Sequence, residues 1–199
     1  MPRKNNALHG NAPDRSTVAL LIIDVINDLE FKSGVRLLPQ ALVMAKKLAV
    51  LKARAVKEGV PVIYVNDNFG KWRSDFSAQV HHSIQPGMRG APVVKLLQAG
   101  ARDYFVLKPK HSGFFSTPLE LLLNYLEVKN LILTGIAGNN CVLFTATDAY
   151  MRDFSLWVPA DCVISASKKE NRMALQQMQQ LLKADIRHSA KIDLRRLKK

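Results

Sequence analysis

Short, wholly apolar runs, each followed by a longer stretch with helical spacing, constrain this chain more than any other feature. The run Val18-Ala19-Leu20-Leu21-Ile22-Ile23 ends at Asp24. Six apolar residues without polar alternation describe a strand buried on both faces, the habit of parallel sheets. Leu42, Ala45, Leu48, Ala49, Leu51 and Val56 then fall on one helical face, in a helix that Pro39 opens and Gly59 closes. A second run, Val62–Val65, follows Pro61 and closes on Asn66-Asp67-Asn68. The unit recurs. A short helix over 91–99 leads to the strand Tyr104–Lys108, and Thr117 and Pro118 suit the N-cap and first position of a helix over 118–127. Leu131–Gly135 reads as a strand and 141–152 as a helix. Leu156–Val158 and 184–187 read as short strands on either side of a helix over 168–182. Strands alternating with helices predict a three-layer α/β/α domain with a parallel, doubly wound sheet of about six strands. Residues 66–90 lack periodicity and read as a long functional loop with room for a short helix.

Composition narrows the class. With 199 residues, 48% of them hydrophobic and 23% charged, the chain suits one soluble domain that needs no disulfide or metal staple. Its two cysteines, Cys141 and Cys162, form no C-x-x-C pair, which argues against a disulfide framework and a thiolate zinc site. The net charge of +13 invites a nucleic-acid reading. Over half of that excess lies on residues 1–15 and 183–199, however, and no RNP, zinc-finger or Gly-x-x-Gly signature accompanies it. We therefore expect no specific nucleic-acid partner, and a modest core excess that favours anionic substrates. Residues 1–16 read as a flexible basic arm with no apolar core of a secretory signal, 17–187 as the domain, and 188–199 as a basic tail. No apolar run approaches the ~18 residues of a membrane span. The expectation is a cytoplasmic protein without a membrane partner.

Ligand sites in such sheets lie at the carboxyl ends of the strands. Three reactive side chains fall there: Asp24, Lys108 and Cys141. Cys141 starts a helix, where unpaired N–H groups favour an anion and lower a thiol pKa. Gly135 and Gly138 allow a tight turn before it. Each residue also has a plain reading: a buried structural cysteine, a turn-capping aspartate, a surface lysine beside Lys110. Together they describe a nucleophile, a proton acceptor and a cation that steadies both. In the long loop, Asn68, Phe69, Trp72 and Arg73 combine aromatic area with a cation and suit a small planar or carboxylated substrate. Phe31 and Phe114 are further wall candidates. Cys162 reads as structural.

Three segments carry a resemblance: Ala19–Leu29 (ALLIIDVINDL), Leu107–Leu119 (LKPKHSGFFSTPL) and Leu131–Phe154 (LILTGIAGNNCVLFTATDAYMRDF). They resemble the isochorismatase-like cysteine hydrolases, a superfamily with a Rossmann-like fold that includes nicotinamidases, carbamoylsarcosine amidases and ureidoacrylate amidases. The resemblance spans about residues 17–187. It places the family's aspartate, lysine and cysteine on Asp24, Lys108 and Cys141, and prefers Lys108 over Lys110 because Ser112-Gly113-Phe114 begins four residues later. It implies a cis peptide at Ile136–Ala137 and an oxyanion hole from the backbone N–H groups of Ala137 and Cys141. It also implies a homodimer or higher homo-oligomer. The chain departs from the family in two places. The nicotinamidase Asp-x-His metal pair is missing after the second strand, and His81 and His82 are adjacent, so no metal and no cofactor are expected. Gly138-Asn139-Asn140 replaces the usual polar stretch before the cysteine, which makes Asn139 a pocket candidate and leaves substrate identity open.

The function implied is hydrolysis of a C–N bond in a small amide, ureido or carbamoyl compound. Cys141 attacks the carbonyl to form a thioester. Asp24 passes the thiol proton to the leaving amine and then activates water, and Lys108 steadies both charges. Hydrolysis of a vinyl ether, which needs no thiol, is one alternative. An inactive small-molecule-binding protein on the same scaffold is the other.

Overall fold

The computed structural model describes residues 15–198. The expected N-terminal arm, apart from Arg15 and Ser16, lies outside them. Six parallel strands form one sheet: β1 (Val18–Ile23), β2 (Val62–Asp67), β3 (Tyr104–Lys108), β4 (Asn130–Ile136), β5 (Ser155–Trp157) and β6 (Val163–Ile164). Their order is β3-β2-β1-β4-β5, with β6 paired to the far end of β4. The chain thus winds outward from β1 in both directions, and the strand order reverses between β1 and β4. In sheets of this kind, ligands bind beside such a reversal, at the carboxyl edge of the strands.

Helices α1 (Gly34–Lys57), α2 (Phe76–Ser83) and α3 (Ala91–Leu96) supply apolar side chains to one face. The other is covered by α4 (Leu119–Tyr125), α5 (Leu143–Tyr150) and α6 (Lys168–Leu181). This explains why β1 has no polar alternation. Val18, Leu20 and Ile22 pack toward α1 and α3, while Ala19, Leu21 and Ile23 pack toward α4, α5 and α6. All six are fully buried. A Val, Leu or Ile side chain contributes about 1.5–3 kcal/mol on such burial, so a polar residue anywhere in β1 would be costly.

Several boundaries differ from expectation. Helix α1 begins at Gly34, and Pro39 lies inside it. The start is set by a close approach: a Cβ on Gly34 would sit 1.9 Å from the Leu29 carbonyl oxygen. Helix α4 begins at Leu119, although Thr117 Oγ1 still accepts from the Leu119 amide at 3.2 Å. Residues 184–187 make a single bridge, Asp185 to Trp157, while the two-residue β6 pairs where no strand was expected. The basic segment 188–198 is docked onto the domain. Ile192 and Leu194 are buried among α1 side chains, and a last helix, α7 (Leu194–Leu197), closes the fold. Arg54 donates to the carbonyls of Ser189 and Ile192, and Arg195 pairs with Glu58 at 3.0 Å.

Candidate active site

Asp24 is the first residue past β1. Its amide still donates to Val65 O at 3.0 Å, and a φ of +52° then turns the chain. Aspartate tolerates this left-handed geometry better than a β-branched residue would. Its buried carboxylate accepts from the Asp67 amide at 2.6 Å and lies 2.9 Å from Lys108 Nζ. Lys108 ends β3 and is fully buried. Its ammonium has three partners: Asp24 at 2.9 Å, Asp67 Oδ2 at 3.3 Å and Cys141 Sγ at 3.5 Å. An ammonium has three protons to donate, so a cation that would otherwise be prohibitive in the core is satisfied.

Cys141 lies in a π-turn, Gly138–Val142, between β4 and α5. Glycine is required on the way into this turn. Gly135 has a φ of +114°, and a Cβ there would meet Ile23 O at 2.0 Å. A Cβ on Gly138 would meet Asn171 Oδ1 at 2.2 Å. The Ile136–Ala137 peptide is cis, at the position the resemblance implied. Cys141 Sγ and the Asp24 carboxylate share the Lys108 ammonium, and His111 Nδ1 lies 3.9 Å from Sγ.

Burial, joined by the Asp24 carboxylate, pushes the Cys141 thiol up to about 12, with Lys108 pulling the other way. The lowered thiol pKa expected from a helix start is therefore not found, because burial and a neighbouring carboxylate outweigh the local dipole. Burial also raises Asp24, against the pull of Lys108. Burial alone would lower Lys108, but the attraction of Asp24, Cys141 and Asp67 outweighs it and holds the ammonium charged. The resting site is thus a neutral thiol facing a carboxylate beside a fixed cation. That is a thiol whose proton has a ready acceptor.

The other expected site residues divide. Phe31 and Phe69 line a cavity of about 310 Å³ together with Asp28, Lys71, Gln79 and His82. Gln79 ties this cavity to the strand ends, donating to Asp67 O and accepting from Asn66 Nδ2, each at 3.1 Å. Asn68 is buried and holds the turn: its amide donates to Lys108 O, and its Oδ1 accepts from Gly70. Trp72, 78% exposed, and Arg73 are not part of that cavity's lining. Phe114 is no pocket wall. It is buried in the core beneath α5, 6.0 Å from the Phe154 ring, with the Arg152 guanidinium over it. Asn139 faces α6, where its amide donates to Ser165 Oγ and its side chain to Glu170. Lys110 is exposed, and Cys162 is buried in the core. A second cleft of about 330 Å³, at the opposite edge of the sheet, is lined by Lys52, Val60 and Asp103, and none of Asp24, Lys108 or Cys141 reaches it.

Two residues at the site were not singled out from the sequence. Asp67, the last residue of β2, is a second carboxylate on Lys108, a role that its place at a strand end could have suggested. His111 sits three residues after the lysine, and no local pattern marks it. Among the described residues there is no cluster of three or more His, Cys, Asp or Glu that could hold a metal ion. His82 pairs with Asp28 at 2.9 Å and His81 with Gln85. No helix among the described residues is long and apolar enough to cross a membrane.

Comparison with known proteins shows the family and the fold. Residues 18–189 match the Isochorismatase domain model. The isochorismatase family protein YaaI of Bacillus subtilis is 41% identical over 168 residues, 84% of this chain and 92% of the relative. The ureidoacrylate amidohydrolase RutB of Methylorubrum extorquens is 29% identical over 181 residues, 77% of this chain and 72% of that one. Among solved structures, an N-carbamoylsarcosine amidase from Thermoplasma acidophilum superposes with a TM-score of 0.67 at 23% identity. That match covers 89% of this chain and 99% of the amidase, and shows the shared fold.

Proposed function

The chain belongs to the isochorismatase family, and from that premise we propose that it is a cysteine-dependent hydrolase of a small amide, ureido or carbamoyl compound. The observation that carries the proposal is the buried contact set around one sulfur. Cys141 Sγ lies 3.5 Å from an ammonium that the Asp24 carboxylate holds at 2.9 Å. The amidohydrolase names of relatives such as RutB support the choice of a C–N bond.

In this reading Asp24 takes the Cys141 proton as the sulfur attacks the substrate carbonyl. The Lys108 ammonium, fixed by two carboxylates, keeps Asp24 ionised until then and offsets the charge that moves onto it. Amides of Ala137 and Cys141 hold the oxyanion, a contribution typically of 10²–10³ in rate per donor. Collapse expels the nitrogen and leaves a thioester on Cys141, which water then opens.

A screen for ammonia release across small amides, ureides and carbamoyl compounds tests the proposal. The expected result is turnover of at least one class that Cys141→Ala abolishes. Turnover that survives the substitution would reject the thiol as nucleophile.

A further inference from the structure

Asp24 is poorly placed to do all the proton transfer a hydrolase cycle needs. One of its oxygens accepts from the Asp67 amide and the other contacts Lys108. Its side chain is 9% exposed. It can exchange a proton with the sulfur, but the cycle also moves protons at the leaving nitrogen and the attacking water. Beside the sulfur stands His111, an exposed residue with Nδ1 3.9 Å from Sγ.

His111 is held in place by the helix that carries the nucleophile. Its ring packs on Phe144, with centroids 5.5 Å apart. Ser112 donates to the Asp148 carboxylate, and the Gly113 amide donates to Thr145 Oγ1 at 3.0 Å. Thr145 Oγ1 in turn donates to the Cys141 carbonyl at 2.7 Å. Residues 111–113 therefore lie along a single stripe of positions 141, 144, 145 and 148 on one helix side. Movement of the loop that would carry the imidazole away from the sulfur breaks three contacts at once. The charged and titratable groups around the ring are Cys141 and the Lys108 behind it, Lys110 beside it in the loop, and Asp148 from α5. Phe144 presents an uncharged face.

We infer that His111 is a second proton-transfer residue of this site, serving the leaving nitrogen and then the attacking water, while Asp24 serves the thiol. The inference rests on the cysteine-hydrolase reading above. In the first half-reaction the Sγ proton goes to Asp24 and the sulfur pair forms the S–C bond. The C–N bond breaks with its pair on nitrogen, which takes the proton of the His111 imidazolium. In the second, the neutral imidazole takes a proton from water as the oxygen forms the C–O bond. The C–S bond breaks with its pair on sulfur, and the Asp24 proton returns to Sγ. Acid, amine and the starting protein result, with water as the sole co-reactant. Histidine suits the task because one imidazole can donate a proton and then accept one.

p-Nitrophenyl acetate separates the two halves, because its phenolate leaves without being protonated whereas opening the acetyl-thioester still needs a base. With His111→Gln we expect a first-turnover burst of nitrophenolate within about threefold of the wild-type rate, and a steady state slowed about 100-fold, the usual span of one acid–base group. The acid limb of the steady-state pH profile should vanish in H111Q. Added imidazole should restore turnover to His111→Ala, which a merely structural role would not permit. A burst that falls together with the steady state, an unchanged steady state, or an acid limb that persists in H111Q overturns the inference. No burst in the wild type, or a burst that survives Cys141→Ala, instead overturns the thiol reading beneath it.

Discussion

Lys108→Met removes the cation around which the site is built, and its cost follows from the contacts. The ammonium lies 2.9 Å from Asp24 and 3.3 Å from Asp67 with no exposure of its own. Removing one partner of a buried pair costs about 3–5 kcal/mol, because the other is left charged and uncompensated. Asp67 is 27% exposed and water screens it, so the loss falls on Asp24. Asp24 can escape part of the cost by taking up a proton, which places the expected loss near 3 kcal/mol at pH 8. Burial already raises Asp24 above its ordinary 3.8, and without Lys108 it rises further. A carboxyl raised on folding adds stability at low pH, and that stability is lost as pH climbs through the folded pKa. The deficit of the variant must therefore be smaller at pH 5 than at pH 8. Lys108 in the wild type is itself raised, so its contribution is full below 10.5 and constant across this range. Urea unfolding followed by tryptophan fluorescence measures the effect. With a slope of about 1–3 kcal/mol per molar, the midpoint at pH 8 drops by about 1–3 M. Adding Asp24→Asn removes the stranded charge and should recover most of the loss. Equal deficits at the two pH values, or no recovery in the double variant, would refute the argument.

Other expectations follow from the geometry. Gly138→Ala places a Cβ 2.2 Å from Asn171 Oδ1 and 2.7 Å from Val163, so the turn must shift, and alkylation of Cys141 by iodoacetamide should change at least ~10-fold in rate. Phe114→Ala should destabilise by about 3–5 kcal/mol in chemical denaturation, as a core truncation does, with no rise in KM of the kind a lost pocket wall produces. Leu194→Ala should cost about 2–5 kcal/mol in the same assay, because the segment it anchors is part of the core; an exposed tail would give no change.

What the sequence made legible depends on how local each cause is. Strands β1, β2 and β4 could be read because burial on both faces demands uninterrupted apolar runs. Their alternation with helices then located Asp24, Lys108 and Cys141 at one edge of the sheet. The resemblance preferred Lys108 over Lys110 because the family's signature, here Ser112-Gly113-Phe114, begins four residues later. Causes that lie across the fold could not be read. Strand β6 exists because Val163 and Ile164 meet Gly135 and Ile136, and two residues carry no pattern of their own. Residues 188–199 looked like a tail because charge dominates them. Yet Arg195 finds Glu58, and Ile192 and Leu194 find α1, only once the chain has folded. Phe114 shares its short segment with His111, and the fold sends one into the core and the other to the Cys141 sulfur. Asp67 and His111 acquire their roles from Lys108 and Cys141, partners 41 and 30 positions away. The thiol's elevation to about 12 likewise reflects burial and Asp24, neither visible from the start of a helix.

The central claim is that a covalent bond forms between Cys141 and the acyl part of the substrate. Acid quenching during turnover of an amide that releases ammonia, followed by intact-mass and peptide analysis, tests it directly. The account predicts an added acyl mass on the Cys141 peptide that hydroxylamine removes, that Cys162 does not carry, and that is absent in Cys141→Ala. Steady turnover with no adduct on Cys141, and with the same rate after its replacement by alanine, would contradict it.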